Sequence, residues 1–257
     1  MLNLPIDHDY HLHSHLSLCS NDPGQTTERM LAYAEQNGFH TLCLTDHYWD
    51  AAVPGAESFD FYSIQNYEHI AAALPLPGSD KVRFQFGCET DMDKHFTLGI
   101  SKDSFSLFDR VIIPTTHLHM TGFTIDPEDN PPERRAELYI RRLKELLDKD
   151  IPFEKVTIAH LSCSLIRPTG GTALDVLDRI SDEALVDVLT DVAKSGAAVE
   201  INEAASIYST PEELARALRP LRIAAACGCT MVLGSDAHHP AELDGAKANF
   251  EALLAAI

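Results

Sequence analysis

Ile6-Asp7-His8-Asp9-Tyr10-His11-Leu12-His13 reads as a strand that ends in two histidines one residue apart. Successive side chains on a strand point to opposite faces, so His11 and His13 share a side. Working outward, the arrangement recurs: a short apolar run closes on a histidine or a carboxylate, and a helical pattern follows. The strand candidates are Ile6–His13, Thr41–Thr45, Val82–Glu89, Arg110–Pro114, Lys155–His160, Ala198–Asn202 and Met231–Gly234. Several are continuous apolar runs, the pattern of parallel strands covered on both faces. Helices are expected at Thr26–Gln36, Glu133–Lys149, Asp182–Lys194, Pro211–Ala226 and Pro240–Ala256. In Glu133–Lys149 the stripe Ala136, Ile140, Leu143 and Leu147 repeats at helical spacing, with Arg and Lys expected on the other face. Alternating strands and helices predict an α/β fold. Seven strands make a (β/α)7 barrel the expected architecture, TIM-like but one unit short, with an open doubly wound sheet as the alternative.

A chain of 257 residues suits a single domain over 1–257 with a sizeable core that needs no disulfides. Hydrophobic residues at 45% and charged residues at 23% fit an ordinary globular protein, and no stretch approaches the length of a membrane span. The formal net charge of −19 would repel a long nucleic acid from most of the surface. A small anion is still admissible, because bound cations reverse the local field. Cys19, Cys43, Cys88, Cys163, Cys227 and Cys229 form no repeated CxxC pair. Met1 to Asp9 carry no basic cluster and no long apolar run, so a cytoplasmic location with reduced thiols is expected. Cys227 and Cys229 read as small buried side chains where a helix runs into a strand.

The chemistry lies at the strand ends. His11 and His13 end the first strand, Asp46 and His47 follow the second, and Glu89 ends the third. His117 and His119 follow the fourth, His160 ends the fifth, and Asp236, His238 and His239 follow the seventh. In β/α barrels the C-terminal strand ends open on one face, where active sites sit. Neutral imidazoles with carboxylates bind Zn²⁺, Mn²⁺ or Fe²⁺, and a glutamate can bridge two ions. An HxH pair alone is as often packing or surface, and a lone histidine is more often a core residue. The coincidence at six of seven strand ends points to one convergent metal site. His8, His40, His69 and His95 read as surface or loop residues. Two long connections, 48–63 with Trp49, Phe59, Phe61 and Tyr62, and 121–132, are candidate functional loops.

These residues also resemble the polymerase-and-histidinol-phosphatase (PHP) family. Asp9-Tyr10-His11-Leu12-His13-Ser14-His15 resembles its first motif, Leu44-Thr45-Asp46-His47 the second and Gly87-Cys88-Glu89 the third. His117, Ala159-His160, Glu200-Ile201-Asn202 and Gly234-Ser235-Asp236-Ala237-His238 follow in the family's order. The resemblance implies a distorted seven-unit barrel with two to three divalent ions. It implies that His11, His13, Glu89 and Asp236 hold one ion. Glu89 would bridge to a second with His117 and His160, and His47 and His238 would hold a third. The family often has Asp or His where this chain has Cys19. A Cys19 thiolate would favour Zn²⁺, with Asn21 or Asp22 as alternatives. His119 is the alternative to His117.

The implied activity is hydrolysis of a small phosphate monoester by a metal-bound hydroxide, with histidinol phosphate as the family's best-known substrate. The expected partner is therefore a small phosphorylated metabolite. Asp236 or a histidine, His15 and His239 being candidates, would move the proton, and Arg167 would grip the phosphate. The rings around Trp49 either close over the leaving group or fill the barrel-end core. An amidohydrolase-like C–N hydrolase is the first rival, but the segment Val111–His117 lacks the lysine those enzymes use. A non-catalytic metal-stabilised domain is the second, and a phosphodiesterase or exonuclease on short nucleotides the third.

Overall fold

The structure is a computed structural model that describes residue 2 and residues 4–202 and 208–257. Strands β1 (His8–Leu12), β2 (Thr41–Leu44) and β3 (Arg83–Phe86) form one parallel sheet in that order. A second parallel sheet runs β4 (Cys88–Glu89), β5 (Val111–Pro114), β6 (Val156–Ala159), β7 (Ala198–Ile201) and β8 (Thr230–Leu233). The α/β class with parallel pairing agrees with the sequence pattern.

The segment expected as one strand, Val82–Glu89, is divided at Gly87. Its first half pairs with β2 and its second with β5. Gly87 N–H donates to the Leu44 carbonyl at 2.8 Å, and Cys88 N–H donates to the Arg110 carbonyl at 3.2 Å. A Cβ at residue 87 would lie 2.5 Å from the Arg110 oxygen and 2.8 Å from Cys43 Sγ. Only glycine lets the chain pass from one partner strand to the other at this spacing. At the opposite margins, Asp236 N–H donates to the His11 carbonyl at 2.8 Å and His13 N–H to the Ala237 carbonyl at 3.1 Å.

The strands are apolar because both faces are covered: Val111, Ile112, Ile113, Ile158 and Val199 are all fully buried. Helices α1 (Thr27–Asn37), α2 (Asp60–Ser63), α3 (Tyr67–Ile70), α4 (Pro132–Leu147), α5 (Ala173–Leu177), α6 (Asp182–Ser195), α7 (Pro211–Ala217), α8 (Arg219–Ala226) and α9 (Pro240–Ala256) lie between and after them. Thr26 caps α1 by accepting from Arg29 N–H, and Gly38 ends it in the left-handed region at φ 74°. The single helix expected over Pro211–Ala226 breaks at Leu218, because Pro220 has no N–H to donate and its ring crowds the preceding turn. The short helices α2, α3 and α5 carry too few residues to show a period in the sequence.

Two expectations about charged side chains need correction. Arg135 and Arg142 of α4 do not face solvent with the other basic residues; both are buried. Arg142 Nε donates to the Thr115 carbonyl at 2.7 Å, Nη1 to Thr124 and Asp93 at 3.1 and 3.2 Å, and Nη2 to Met92 at 2.5 Å. His8 is not a surface residue either: it is 7% exposed, and its Nε2 accepts from Leu233 N–H of β8 at 3.0 Å. Cys229 is buried and donates to the Leu189 carbonyl, while Cys227 is half-buried. Among the described residues no helix is long and apolar enough to cross a membrane.

Candidate metal centre

The strand ends bring the histidines into one buried cluster, and the rings of His11, His13, His117 and His160 are held from behind. His11 Nδ1–H donates to Glu200 Oε1 at 2.7 Å. His13 Nδ1–H donates to Ser17 Oγ at 3.0 Å, and Ser17 in turn donates to Asp46 Oδ1 at 2.7 Å. Asp46 also accepts from Ser14 N–H and Oγ–H, each at 2.7 Å, so its role is to brace the β1 turn. His117 Nδ1–H donates to Asp91 Oδ2 at 3.3 Å and lies 3.0 Å from Oδ1. His160 Nδ1 lies 3.3 Å from the Asn202 side-chain amide. A carboxylate or hydroxyl on one ring nitrogen fixes the tautomer and leaves the other nitrogen free to ligate.

The free nitrogens point inward. Nε2 of His11 and Nε2 of His13 are 3.1 Å apart. With both Nδ1 atoms donating, two lone pairs face each other, which is repulsive unless a proton or cation lies between them. His13 Nε2 is 3.0 Å from Asp236 Oδ1 and 3.2 Å from Glu89 Oε2. His47 Nδ1 is 3.1 Å from the same Glu89 oxygen. On the other side of Glu89, Oε1 is 3.5 Å from His160 Nε2 and 3.9 Å from His117 Nε2. Glu89 Oε1, Asp236 Oδ1 and Glu200 Oε2 are buried with no hydrogen-bond donor. Native buried carboxylate oxygens are almost always satisfied, so this set is built for cations.

Electrostatics agree. Burial pulls the His13 imidazole down, but contacts with Asp236 and Glu89 outweigh it and lift its pKa to about 9. Burial likewise opposes the charge on His160, and Glu89 and Asp236 lift it to about 9. Burial disfavours the ionised Glu89, yet His47 and His11 hold it well below the carboxylate range. The cluster thus prefers ionised carboxylates surrounded by positive charge. Among the described residues four groups of donors lie mutually close: His11, His13, Glu89 and Asp236; Glu89, His117 and His160; His13, His47 and His238; and His11, His160 and Glu200. His160 and Asp236 adopt left-handed backbone at φ 65° and 56°, uncommon for residues other than glycine. Such conformations are held against their cost at functional sites. Gly234 leaves room beneath the cluster, since a Cβ there would meet Glu200 Oε1 at 2.1 Å and His11 Cβ at 2.7 Å.

Above the cluster opens a cavity of about 600 Å³ lined by Phe59, Phe61, Met120 and Leu165 as well as by His47, Glu89, Asp91, His117, Asp236 and His238. Cys19 also lines it, but its sulfur joins none of the close donor groups. Burial and the negative charges of Glu89 and Asp236 push its thiol pKa up, which opposes a thiolate. Asn21 is exposed, and Asp22 Oδ1 accepts from Gly24 N–H at 2.8 Å, so neither turns inward. His117, not His119, faces Glu89; His119 is exposed at the cavity rim, its ring 5.3 Å from that of His117. His15 and His239 are exposed and outside the cavity lining, and His239 caps α9. Arg167 is exposed beside a second hollow of about 570 Å³ that shares His119, Thr121 and Leu165 with the first. Its guanidinium has no ion-pair partner among the described residues.

Sequence reasoning gave Asp91 no part, and Glu200 and Asn202 no stated role. The signal for Asp91 was its place two residues beyond Glu89, on the same side of an extended chain. Trp49 and Tyr62 are 1% exposed and pack with Phe123, so they fill core while Phe59 and Phe61 line the cavity.

The PHP domain matches residues 9–204 of the chain. No curated protein matches it in sequence. A solved structure of histidinol phosphate phosphatase from Lactococcus lactis subsp. lactis Il1403, with zinc, L-histidinol and phosphate, is 19% identical, covering 96% of this chain and 93% of that one with a TM-score of 0.57. A candidate histidinol phosphatase from Listeria monocytogenes is 14% identical, covering 95% of this chain and 99% of that one with a TM-score of 0.62. At these identities the two likenesses show a shared fold.

Proposed function

This chain belongs to the PHP domain family of metal-dependent phosphoesterases, and from that premise we propose that it hydrolyses a small phosphate monoester at the buried cluster. The observation that carries the reading is the inward-facing donor set at the floor of an open cavity: imidazole nitrogens and carboxylate oxygens with no other partner. His11, His13, Glu89 and Asp236 would hold one divalent ion, Zn²⁺, Mn²⁺ or Fe²⁺. Glu89, His117 and His160 would hold a second, with Glu89 bridging. His47 and His238 would complete a third together with His13, in place of Cys19. Such ions supply a water of lowered pKa and neutralise charge on the phosphoryl oxygens.

The chain's own groups do the rest. Asp236, whose Oδ1 faces the His11 and His13 nitrogens, would take the proton of the attacking water on Oδ2. Arg167 would draw a phosphoryl oxygen toward the rim. The bond from phosphorus to the leaving oxygen breaks, and that oxygen takes the proton from Asp236 and leaves as an alcohol. The two sheets are taken as one distorted seven-unit barrel, with β3 and β4 as one strand passing Gly87 and the margins joined through the Leu12–Ala237 bridge. We read 1–257 as a single domain and its partner as a small phosphorylated metabolite in the cytoplasm.

The test is phosphate release from 4-nitrophenyl phosphate by protein loaded with Zn²⁺, Mn²⁺ or Fe²⁺. Turnover that chelation abolishes is expected. No release from a sample shown by elemental analysis to contain bound metal would remove the reading.

A further inference from the structure

We infer that the substrate's leaving group is uncharged and carries a flat aromatic ring, seated against Phe59 and Phe61 rather than paired with a charge. The inference rests on the phosphatase reading and deepens it. The two rings form a fixed wall. Phe59 stacks on Phe123 with centroids 4.6 Å apart and planes 12° apart, and Phe61 meets His47 edge-on at 5.0 Å. Behind them Trp49 and Tyr62 are fully packed, so the wall is ordered before any ligand arrives. Met120 and Leu165 complete the apolar lining.

The charges argue the same way. Three carboxylates border the cavity: Glu89, Asp91 and Asp236. Glu89 and Asp236 are the proposed cation ligands, and Asp91 accepts from His117 with Tyr62 donating as well. No other acidic residue lines the cavity among the described residues. An ammonium-bearing leaving group would therefore meet no unclaimed counter-charge among the described residues, and burying it so costs far more than burying a ring. A polyol would fare little better, with Thr121 and His119 as the few polar groups on the upper wall. A ring against Phe59 and Phe61 gains both apolar burial and offset stacking.

Three esters of primary alcohols separate the possibilities, because their leaving groups have similar intrinsic reactivity: 2-phenylethyl phosphate, glycerol 1-phosphate and 2-aminoethyl phosphate. The metal-loaded protein should turn over the phenylethyl ester with kcat/KM roughly tenfold or more above the other two, mostly through KM. Phe59→Ala should collapse that ratio. Leu165→Glu should shift preference toward the aminoethyl ester by supplying the missing counter-charge. Turnover with an equal or inverted order overturns the inference and leaves the phosphatase reading standing. If no ester is hydrolysed, the phosphatase reading fails, and the inference is judged by binding alone. Calorimetry should then show 2-phenylethylphosphonate binding more tightly than 2-aminoethylphosphonate, and equal or reversed affinities overturn it.

Discussion

Glu89 touches more of the proposed chemistry than any other side chain. Both its oxygens face imidazoles, Oε2 toward His11, His13 and His47, and Oε1 toward His117 and His160. Glu89→Gln keeps the shape and removes one anionic oxygen, so it should lose hydrolysis together with one or two ions. Elemental analysis checks this, and a full metal complement in the variant would show that the bridge lies elsewhere. The histidines could be read from sequence because a ligand at a strand end stands out against an apolar run. The groups that hold them could not, since Glu200 meets His11 across 189 positions of chain. No local spacing encodes such a pairing. Cys19 illustrates the reverse: its position along the chain suggested a ligand, and the fold leaves its sulfur outside every close donor group.

Elements carry their own consequences. Helix α4 showed its apolar stripe in the sequence, but not that Arg142 turns inward to serve four backbone carbonyls. Arg135, Tyr139, Arg142 and Leu146 repeat at helical spacing along the buried face, so the period was present, but a basic residue on that face reads as solvent-facing until its carbonyl partners are in place. Those carbonyls belong to the chain on either side of the site, around Met92 and Thr115. Arg142→Met should strand them, costing about 3–5 kcal/mol of unfolding free energy. Urea unfolding checks this, and a loss below about 1 kcal/mol would mean that water takes over the carbonyls. His8 is the second case. Its Nδ1–H donates to Asp7 while Nε2 accepts from Leu233, so this tie between β1 and β8 requires the neutral ring. Burial, the largest influence, keeps its pKa below the ordinary 6.5. Above pH 6.5 the ring is neutral in both folded and unfolded chains, and its stabilisation is fully present. As pH falls the unfolded chain takes the proton first, so stability declines from about 6.5 down through the folded value. His8→Gln should flatten that decline in denaturation curves taken between pH 7 and 5; curves parallel to the parent's would exclude this role for His8.

Across the whole molecule, alternating strands and helices made the α/β class legible, while the division at Gly87 was not. That division is set by how closely Arg110 and Cys43 approach, a distance fixed only once both neighbouring strands are in place. It has a mechanical consequence. His11, His13 and His47 come from strands of the three-stranded sheet or the segments that follow them, whereas Glu89, His160, Glu200, Asp236 and His238 come from strands of the five-stranded one or the segments after those. Three of the four donor groups draw on both. Bound cations would act as rivets across a seam whose covalent continuity is one glycine. Stripping them should therefore quicken deuterium uptake first at the backbone amides of Gly87, Cys88, His13 and Asp236, ahead of the helices. An even rise over the entire chain would mean that the two halves loosen as one.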